Sequence, residues 1–325
     1  MESDLHHHQE IFGNRLRKRF KHIRKWARRS GVSCYRLYDR DIPEVPLVVD
    51  RYEDWLLVGE YHSPHKELPG PPDLYRVAMV EAAAEAVGIP RERVFYKRRK
   101  RMAATEHYDR QGSESVTTVV QESGLSFEIN LSDYIDVGLF LDHRPTRTRV
   151  HDLVGEYRTQ GPVRVLNLFS YTASFSVYAA DAGALTTSVD LSKTYTNWAG
   201  RNFQLNNIAP AEHRLITADV PTYLEQDAHR GSQYELIIAD PPTFSASKRT
   251  EHTFSVQRDH GALLGSCSAL LAAGGRMLFS TNMRSFRLND LPEWLSAEDI
   301  SQETIPEDFR NRRIHYAWLL SSSSE

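Results

Sequence analysis

Leu236-Ile237-Ile238-Ala239-Asp240-Pro241-Pro242-Thr243-Phe244 is the stretch whose reading decides the fold. Four consecutive apolar residues read as a strand buried on both faces, the mark of a parallel sheet between helix layers. Each proline fixes φ and removes an N–H, so the chain leaves the sheet along one stiff path. The proline carbonyls stay free to accept hydrogen bonds, Asp240 adds a carboxylate, and Phe244 adds a flat apolar face. That set suits a planar nitrogen heterocycle at the carboxyl end of a sheet, where open α/β folds seat their ligands. A merely rigid strand–loop corner would use the same residues, so the flanking sequence has to decide between the two.

The flanking sequence repeats the pattern. Strand-like runs at 163–168, 186–190, 213–217, 276–280 and 314–320 accompany 236–239, and helical patterns at 170–181, 193–206, 220–227 and 259–272 lie between them. Alternation of strand and helix predicts a parallel sheet. Gly274-Gly275 reads as a turn before the strand at 276–280. Three strands finish in an acid at one edge: Asp190, Asp219 just past its strand, and Asp240. An acid closing the second strand suits the paired hydroxyls of a ribose, and one after the third suits the exocyclic amine of adenine. The first strand feeds Asn167-Leu168-Phe169-Ser170-Tyr171-Thr172-Ala173-Ser174, a turn opening a helix, whose N–H groups can receive a carboxylate. Neither Gly-x-Gly-x-x-Gly nor a P-loop is present, which argues against a dinucleotide or a nucleoside triphosphate. A ligand with adenosine at one end and a carboxylate at the other fits, and S-adenosyl-L-methionine has that shape.

The N-terminal part differs in charge. The chain has 325 residues and a net charge of -3, yet residues 1–101 hold 21 Lys and Arg against 15 Asp and Glu, leaving 19 against 28 in the remainder. Phe12, Leu16, Phe20, Ile23 and Ala27 make an apolar stripe that predicts a helix over 12–30, stopped by Gly31. Its other faces carry Arg15, Lys18, Arg19, Lys25 and further bases with no acid between residues 11 and 38. A solvated helix interleaves both signs, so this one reads as a polyanion surface. A second basic run is Lys97-Arg98-Arg99-Lys100-Arg101. A hairpin at 47–60, a helix over 73–87 and a second hairpin at 116–130 complete an α+β region. Residues 1–10 read as a disordered tail, 11–135 as a basic RNA-binding α+β domain and 136–325 as the cofactor-binding domain. Two cysteines cannot build a disulfide framework. His6-His7-His8 lacks the accompanying ligands of a metal site, so no metal is expected. No secretory signal or spanning segment is apparent, which makes the cytoplasm the default compartment.

The set of motifs resembles the class I S-adenosylmethionine-dependent methyltransferases of ribosomal RNA, most of all the guanine-N7 methyltransferase K portion of the bifunctional bacterial large-subunit (23S) rRNA methyltransferase K/L. The resemblance rests on Cys34-Tyr35-Arg36-Leu37-Tyr38-Asp39, Asp50-Arg51-Tyr52, Gly138-Leu139-Phe140-Leu141-Asp142-His143-Arg144, the segments 166–172, 189–192 and 240–249, Val256-Gln257-Arg258-Asp259-His260 and the segment 308–315. It implies a Rossmann-like class I sheet with a smaller N-terminal α+β domain. It implies that Phe140, Asp142 and Arg144 face the cofactor, with Arg144 pairing to the cofactor's methionine carboxylate, alongside Asn167, Phe169, Ser170, Tyr171 and Thr172. Asp190 would hold the ribose with Leu191 and Ser192 beside it, and Asp219 and Val220 would hold the adenine. Asp240, Pro241, Pro242 and Phe244 would frame the target base, and Lys248, Arg249, Arg284 and Arg287 would take RNA phosphates. Ala173 stands where the family more often has Gly. The second methyltransferase and the N-terminal RNA-binding module of the bifunctional protein have no counterpart here, so the chain is expected to act alone or with a separate partner. The fifth strand leads to Phe279-Ser280-Thr281-Asn282 without a cysteine, against covalent cytosine chemistry. Methylation of an exocyclic purine amine such as guanine N2, or a non-catalytic RNA-binding role in ribosome assembly, are the competing expectations.

Overall fold

The computed structural model describes residues 2–61, 68–99, 115–245 and 253–322. The apolar stripe folds as helix α1, which runs Glu2–Arg29 and so begins well before Phe12. The polar stretch read as a tail is therefore helical from Glu2, and Leu5 packs on the same core as Phe12 and Leu16. Gly31 follows at φ 64°, a left-handed stop that glycine adopts without strain. Strands β1 (Cys34–Asp39), β2 (Leu47–Tyr52), β3 (Trp55–Tyr61) and, after helix α2 (Pro72–Val87), β4 (Val94–Arg99) form one sheet in that order. Helix α2 is rich in alanine, and α1 lies close against it, with Gly13 facing Ala82. Hairpin β5 (Thr117–Glu122) and β6 (Leu125–Asn130) follows. Although the sequence groups it with the N-terminal part, β6 packs on the helix over 193–205: Asn202 Oδ1 accepts from the Glu128 N–H, and the Trp198 indole N–H donates to the Glu128 carbonyl.

Helix α3 (Arg144–Arg158) leads into the large sheet. Its elements are β7 (Arg164–Leu168), α4 (Ser174–Asp181), β8 (Leu185–Asp190), α5 (Lys193–Leu205), β9 (Arg214–Thr217), α6 (Val220–His229) and β10 (Tyr234–Ala239). Short strands β11 (Phe244–Ser245) and β12 (Phe254–Ser255) pair with each other. Helix α7 (Val256–Ser268), β13 (Leu271–Thr281), β14 (Leu295–Asp299), α8 (Ser301–Thr304) and β15 (Tyr316–Ser322) complete the chain. The seven strands lie in the order β14-β15-β13-β10-β7-β8-β9. The predicted parallel sheet holds for β7, β8, β9, β10 and β13, but β15 inserts antiparallel between β13 and β14.

Both faces of β10 are buried. Leu236 and Ile238 meet Val150, Leu153, Phe175 and Leu278, while Ile237 and Ala239 meet Tyr223, Leu264, Met277 and Phe279 on the other side. Each large apolar side chain so buried contributes roughly 1.5–3 kcal/mol. The expected turn at Gly274-Gly275 is a bulge inside β13: the register slips between Tyr234↔Leu271 and Leu236↔Arg276. Gly274 sits at φ 73°, and a Cβ on Gly275 would come within 2.9 Å of the Ala272 carbonyl oxygen.

The N-terminal sheet, the hairpin and the large sheet share one further core. Cys34, Tyr52 and Leu57 join Val120, Phe127, Leu139, Tyr178, Phe203 and Phe309. A buried ion network runs beside it. Arg147 makes two hydrogen bonds to Glu122, at 2.7 and 2.9 Å, and Tyr178 donates a third at 2.9 Å. Arg144 pairs with Asp308 at 3.1 Å and donates to the Cys34 carbonyl at 2.7 Å, and the Arg36 N–H also donates to Asp308. Removing one partner strands the other charge in a dry interior, at a cost of about 3–5 kcal/mol. Glu122→Ala is therefore expected to lower stability by about that amount, read by urea denaturation, whereas exposed Glu225→Ala is expected to leave it nearly unchanged.

Candidate active site

The register places the acids on one line. Leu168 lies level with Ala239 and Val189, and Ala239 lies level with Phe279. The next residue of each strand, Phe169, Asp240, Asp190 and Ser280, therefore stands at the same height on the carboxyl edge. Asp219 follows β9 one residue beyond Ala218 and caps α6, accepting from the Thr222 N–H and hydroxyl.

Asp190 is buried, and its two oxygens accept from the backbone N–H groups of Tyr171 and Ser192 at 2.9 and 2.8 Å. Burial pushes its carboxyl up to about 6 against those two hydrogen bonds. Ser192 in turn caps α5, accepting from the Tyr195 N–H. The loop after β7 is conformationally unusual: Phe169, Tyr171 and Ala173 all have φ between 51° and 57°. Left-handed backbone costs a non-glycine residue roughly 1–2 kcal/mol, which gives a physical basis for the expected glycine at 173. The loop is held by the Thr172 hydroxyl on the Gly138 carbonyl at 2.6 Å and by the Tyr171–Asp190 bond. Gly138 itself has φ 105° and lies against Trp198, so that an added Cβ would come within 2.3 Å of the indole. Phe140, partly exposed, lies over Tyr171 with ring centroids 5.0 Å apart.

Asp240 accepts from the Ser280 hydroxyl at 2.7 Å through Oδ1. Its Oδ2 faces His143 Nε2 at 3.5 Å. Pro241 is buried, Pro242 is exposed, and Phe244 is 50% exposed. The Thr243 hydroxyl donates to Asn282 at the end of β13, which ties the corner to the neighbouring strand. Behind Asp240, His143 stacks parallel on His315, with centroids 4.6 Å apart and planes 7° apart. His315 Nδ1 meets Asp142 at 3.0 Å. Burial raises the Asp142 carboxyl, but His143 and the His315 hydrogen bond outweigh it and hold the group below the ordinary carboxylate range. Asp142, His143 and His315 bring possible metal-ligating atoms within 4.8 Å of one another. Lone pairs of parallel stacked rings do not converge on one point at the roughly 2 Å a metal–imidazole bond requires, so the arrangement is that of a hydrogen-bonded stack.

Other expected site residues make contacts within the protein. Arg144 is buried and hydrogen-bonds to Asp308 and the Cys34 carbonyl in the ion network. Asn167 donates to the buried Ser176 hydroxyl, a contact inside the sheet layer. Val220 is buried in the first turn of α6, and Leu191 is half-buried beside Asp190. Among the basic candidates, Lys97 is buried and donates to the Asn130 and Tyr134 carbonyls. Arg15 and Arg19 are drawn to Asp41, at 2.7 and 3.9 Å, because that carboxylate is buried and needs cations. Arg98 is half-exposed and reaches Glu60. Lys18, Lys25, Arg284 and Arg287 are exposed. Lys248 and Arg249 lie outside the described residues, as does the side chain of Arg99. The sequence reading gave no role to His143 or His315, although both lie within quoted motif segments.

Three acids at one strand edge, a strained first loop and an Asp-Pro-Pro corner suit an adenosine-bearing cofactor. Residues 40–311 match the family profile described as S-adenosylmethionine-dependent methyltransferase. The chain belongs to that family. S-adenosylmethionine is accordingly its cofactor, and the donor set on the page fits it. The chain is 48% identical over 316 residues to a ribosomal RNA large subunit methyltransferase K/L of Stutzerimonas stutzeri, covering 96% of this chain and 42% of that protein. It is 43% identical to a ribosomal RNA large subunit methyltransferase K of Neisseria meningitidis, covering 96% and 87% respectively. This methyltransferase thus spans less than half the length of the K/L relative and most of the K relative. In fold it is similar to a protein described as a SAM-dependent methyltransferase of Streptococcus mutans, with TM-score 0.73 and 23% identity over 96% of this chain and 81% of that one. A second similar structure, with TM-score 0.71 and 24% identity over 95% and 81%, was crystallised with SAH. No helix among the described residues is long and apolar enough to cross a membrane.

The raised Asp190 carboxyl fixes the sign of a stability effect. The folded state holds its proton more tightly than the unfolded chain, so the benefit is fully present below the unfolded value near 4 and is lost as pH rises through about 6. Comparison of wild type with Asp190→Asn at pH 4 and pH 7.5 is expected to shift the stability difference toward the variant by on the order of 3 kcal/mol. The readout is chemical denaturation at each pH.

Proposed function

We propose that this methyltransferase acts on N7 of a guanine in large-subunit (23S) ribosomal RNA, in the cytoplasm. The observation that carries the reading is the Asp240-Pro241-Pro242-Phe244 corner. It presents one carboxylate oriented by Ser280 and one half-exposed ring at the carboxyl edge, beside the acids suited to the cofactor. The names of the K and K/L relatives support an rRNA substrate.

When bound, the cofactor supplies an electrophilic methyl group on a sulfonium. Asp190 would accept from the ribose hydroxyls and Asp219 from the adenine amine, with the Phe140 ring lying on Tyr171 of the first loop. Guanine N7 has an in-plane lone pair and loses no proton when it is methylated, so no strong base is needed. The work left to the chain is alignment. Asp240 accepts from the N–H edge of guanine and balances the positive charge that the ring acquires. Phe244 stacks on the base, which has to leave its helix to reach the corner, and Pro241 and Pro242 fix where both residues sit. Both cysteines are buried, burial pushes each thiol up to about 12, and Cys267 lies in mid-helix, which supports a mechanism without a thiolate nucleophile. Lys18, Lys25, Arg284 and Arg287 remain available for phosphates.

The test is transfer of labelled methyl from S-adenosylmethionine to rRNA from cells lacking this protein, with nucleoside analysis. Label in 7-methylguanosine is expected; label in N2-methylguanosine would move the chemistry to the amine, and no label despite cofactor binding would favour an assembly role. Asp240→Ala is expected to lower turnover by about 10²–10³-fold with cofactor affinity kept. For RNA binding, Lys18→Ala and Lys25→Ala are each expected to reduce the slope of log affinity against log salt by about 1. Arg15→Ala is expected to leave that slope unchanged and to lower stability through Asp41, measured by filter binding and thermal unfolding.

A further inference from the structure

His143 stands directly behind the carboxylate assigned to the base. The imidazole is buried, and its Nε2 faces two carboxylate oxygens, Asp240 Oδ2 at 3.5 Å and Asp142 Oδ2 at 3.9 Å. Its Nδ1 is buried without a hydrogen-bond partner among the described residues. The groups facing it are Asp142 and Asp240, the stacked His315, Arg147 from α3, and the edge of Phe175 from α4. Burial lowers the imidazole against the pull of Asp240 and Asp142, so it is neutral and carries one N–H. That proton belongs on Nε2. A proton on Nδ1 would bury an unpaired donor and would aim the Nε2 lone pair at two anions, and both cost free energy.

We propose that His143 is a positioning residue for methyl transfer: its Nε2–H directs Asp240 Oδ2 while Ser280 holds Oδ1, and the His315–Asp142 pair keeps the imidazole in place. The inference rests on the reading that Asp240 meets the target base. With both oxygens guided, the carboxylate has one rotational setting. The 3.5 Å separation closes to a hydrogen bond when the base is seated, since such contacts tighten in the reactive complex. The orienting pair comes from distant parts of the chain: His143 and Asp142 lie at the entry to α3, and His315 precedes β15.

The experiment compares the full-length wild type with His143→Leu, His143→Gln and Asp240→Ala in the labelled-methyl assay. Cofactor affinity and thermal midpoint are measured on each. Glutamine offers an N–H near the Nε2 position and leucine offers none. His143→Leu is expected to lower kcat about 100-fold, the size of a small misplacement at the reacting centre, with the KM for S-adenosylmethionine unchanged. His143→Gln is expected to recover most of that loss. Wild-type kcat in His143→Leu, with Asp240→Ala inactive, would overturn the inference alone. Wild-type turnover in Asp240→Ala would overturn the reading beneath it and the inference together. Equal losses in both His143 variants, accompanied by lowered midpoints and weakened cofactor binding, would show a structural role and overturn it. Nitrogen-15 spectra of the folded wild type, with His143→Gln to assign the signal, provide a readout independent of variant folding. A neutral Nε2–H tautomer is expected; the Nδ1–H tautomer, or stoichiometric zinc uptake that shifts the signal, would overturn the inference.

Discussion

The Arg147–Glu122 pair, with Arg144 and Asp308 beside it, is the constraint on which the arrangement of the site depends. Glu122 ends one strand of the hairpin, Arg147 and Arg144 lie in the first turns of α3, and Asp308 lies in the connection before β15. Three separate segments of the chain are therefore fixed to one another by charges that water cannot reach. The desolvation cost of such a group is tolerable only when every partner is present and well aligned. Tyr178 adds a donor to Glu122, and the Cys34 carbonyl adds an acceptor for Arg144. The consequence for chemistry is positional. The start of α3 cannot shift, and the residues just before it, Phe140, Asp142 and His143, are carried to the carboxyl edge of the sheet.

From that fixed point the site divides into two halves with different physics. On the β8 side, Asp190 is an acid held in a dry place by two backbone N–H groups, and the loop it anchors is strained at alternate residues. Strain of this kind persists only where the surroundings over-determine the backbone, and here the Thr172–Gly138 bond and the Trp198 ring do so. On the β10 side, the proline pair adds covalent stiffness to the Ser280–Asp240 and Thr243–Asn282 hydrogen bonds.

Much of this was legible in the sequence, for identifiable reasons. A continuous apolar run marks β10, and the alternation of strand with helix bounds β7 and β8 within a residue or two, so the acids closing β8 and β10 followed. The antiparallel sense of β15 could not be read, because its apolar run looks the same in either direction. The partners of the basic residues could not be read for a related reason. Lys97, Arg15, Arg19 and Arg144 look alike in sequence to exposed cations, and only folding brings Asn130, Asp41 and Asp308 to them. The His143–His315 stack and the Asp142 contact unite positions as much as 173 residues apart, a separation at which local pattern carries no signal.

The bulge in β13 has a consequence of another kind. Side chains along a strand alternate between faces, so a shift of one residue exchanges the two sets. The extra chain length at Gly274-Gly275 is what brings Phe279 level with Ala239 and lets Ser280 reach Asp240. Loss of one glycine there would move Phe279 from one core layer to the opposite one and take Ser280 away from Asp240, without changing the sequence of the crevice. The bulge inside β13 is thus a length gauge for the site, set by residues that never touch the crevice.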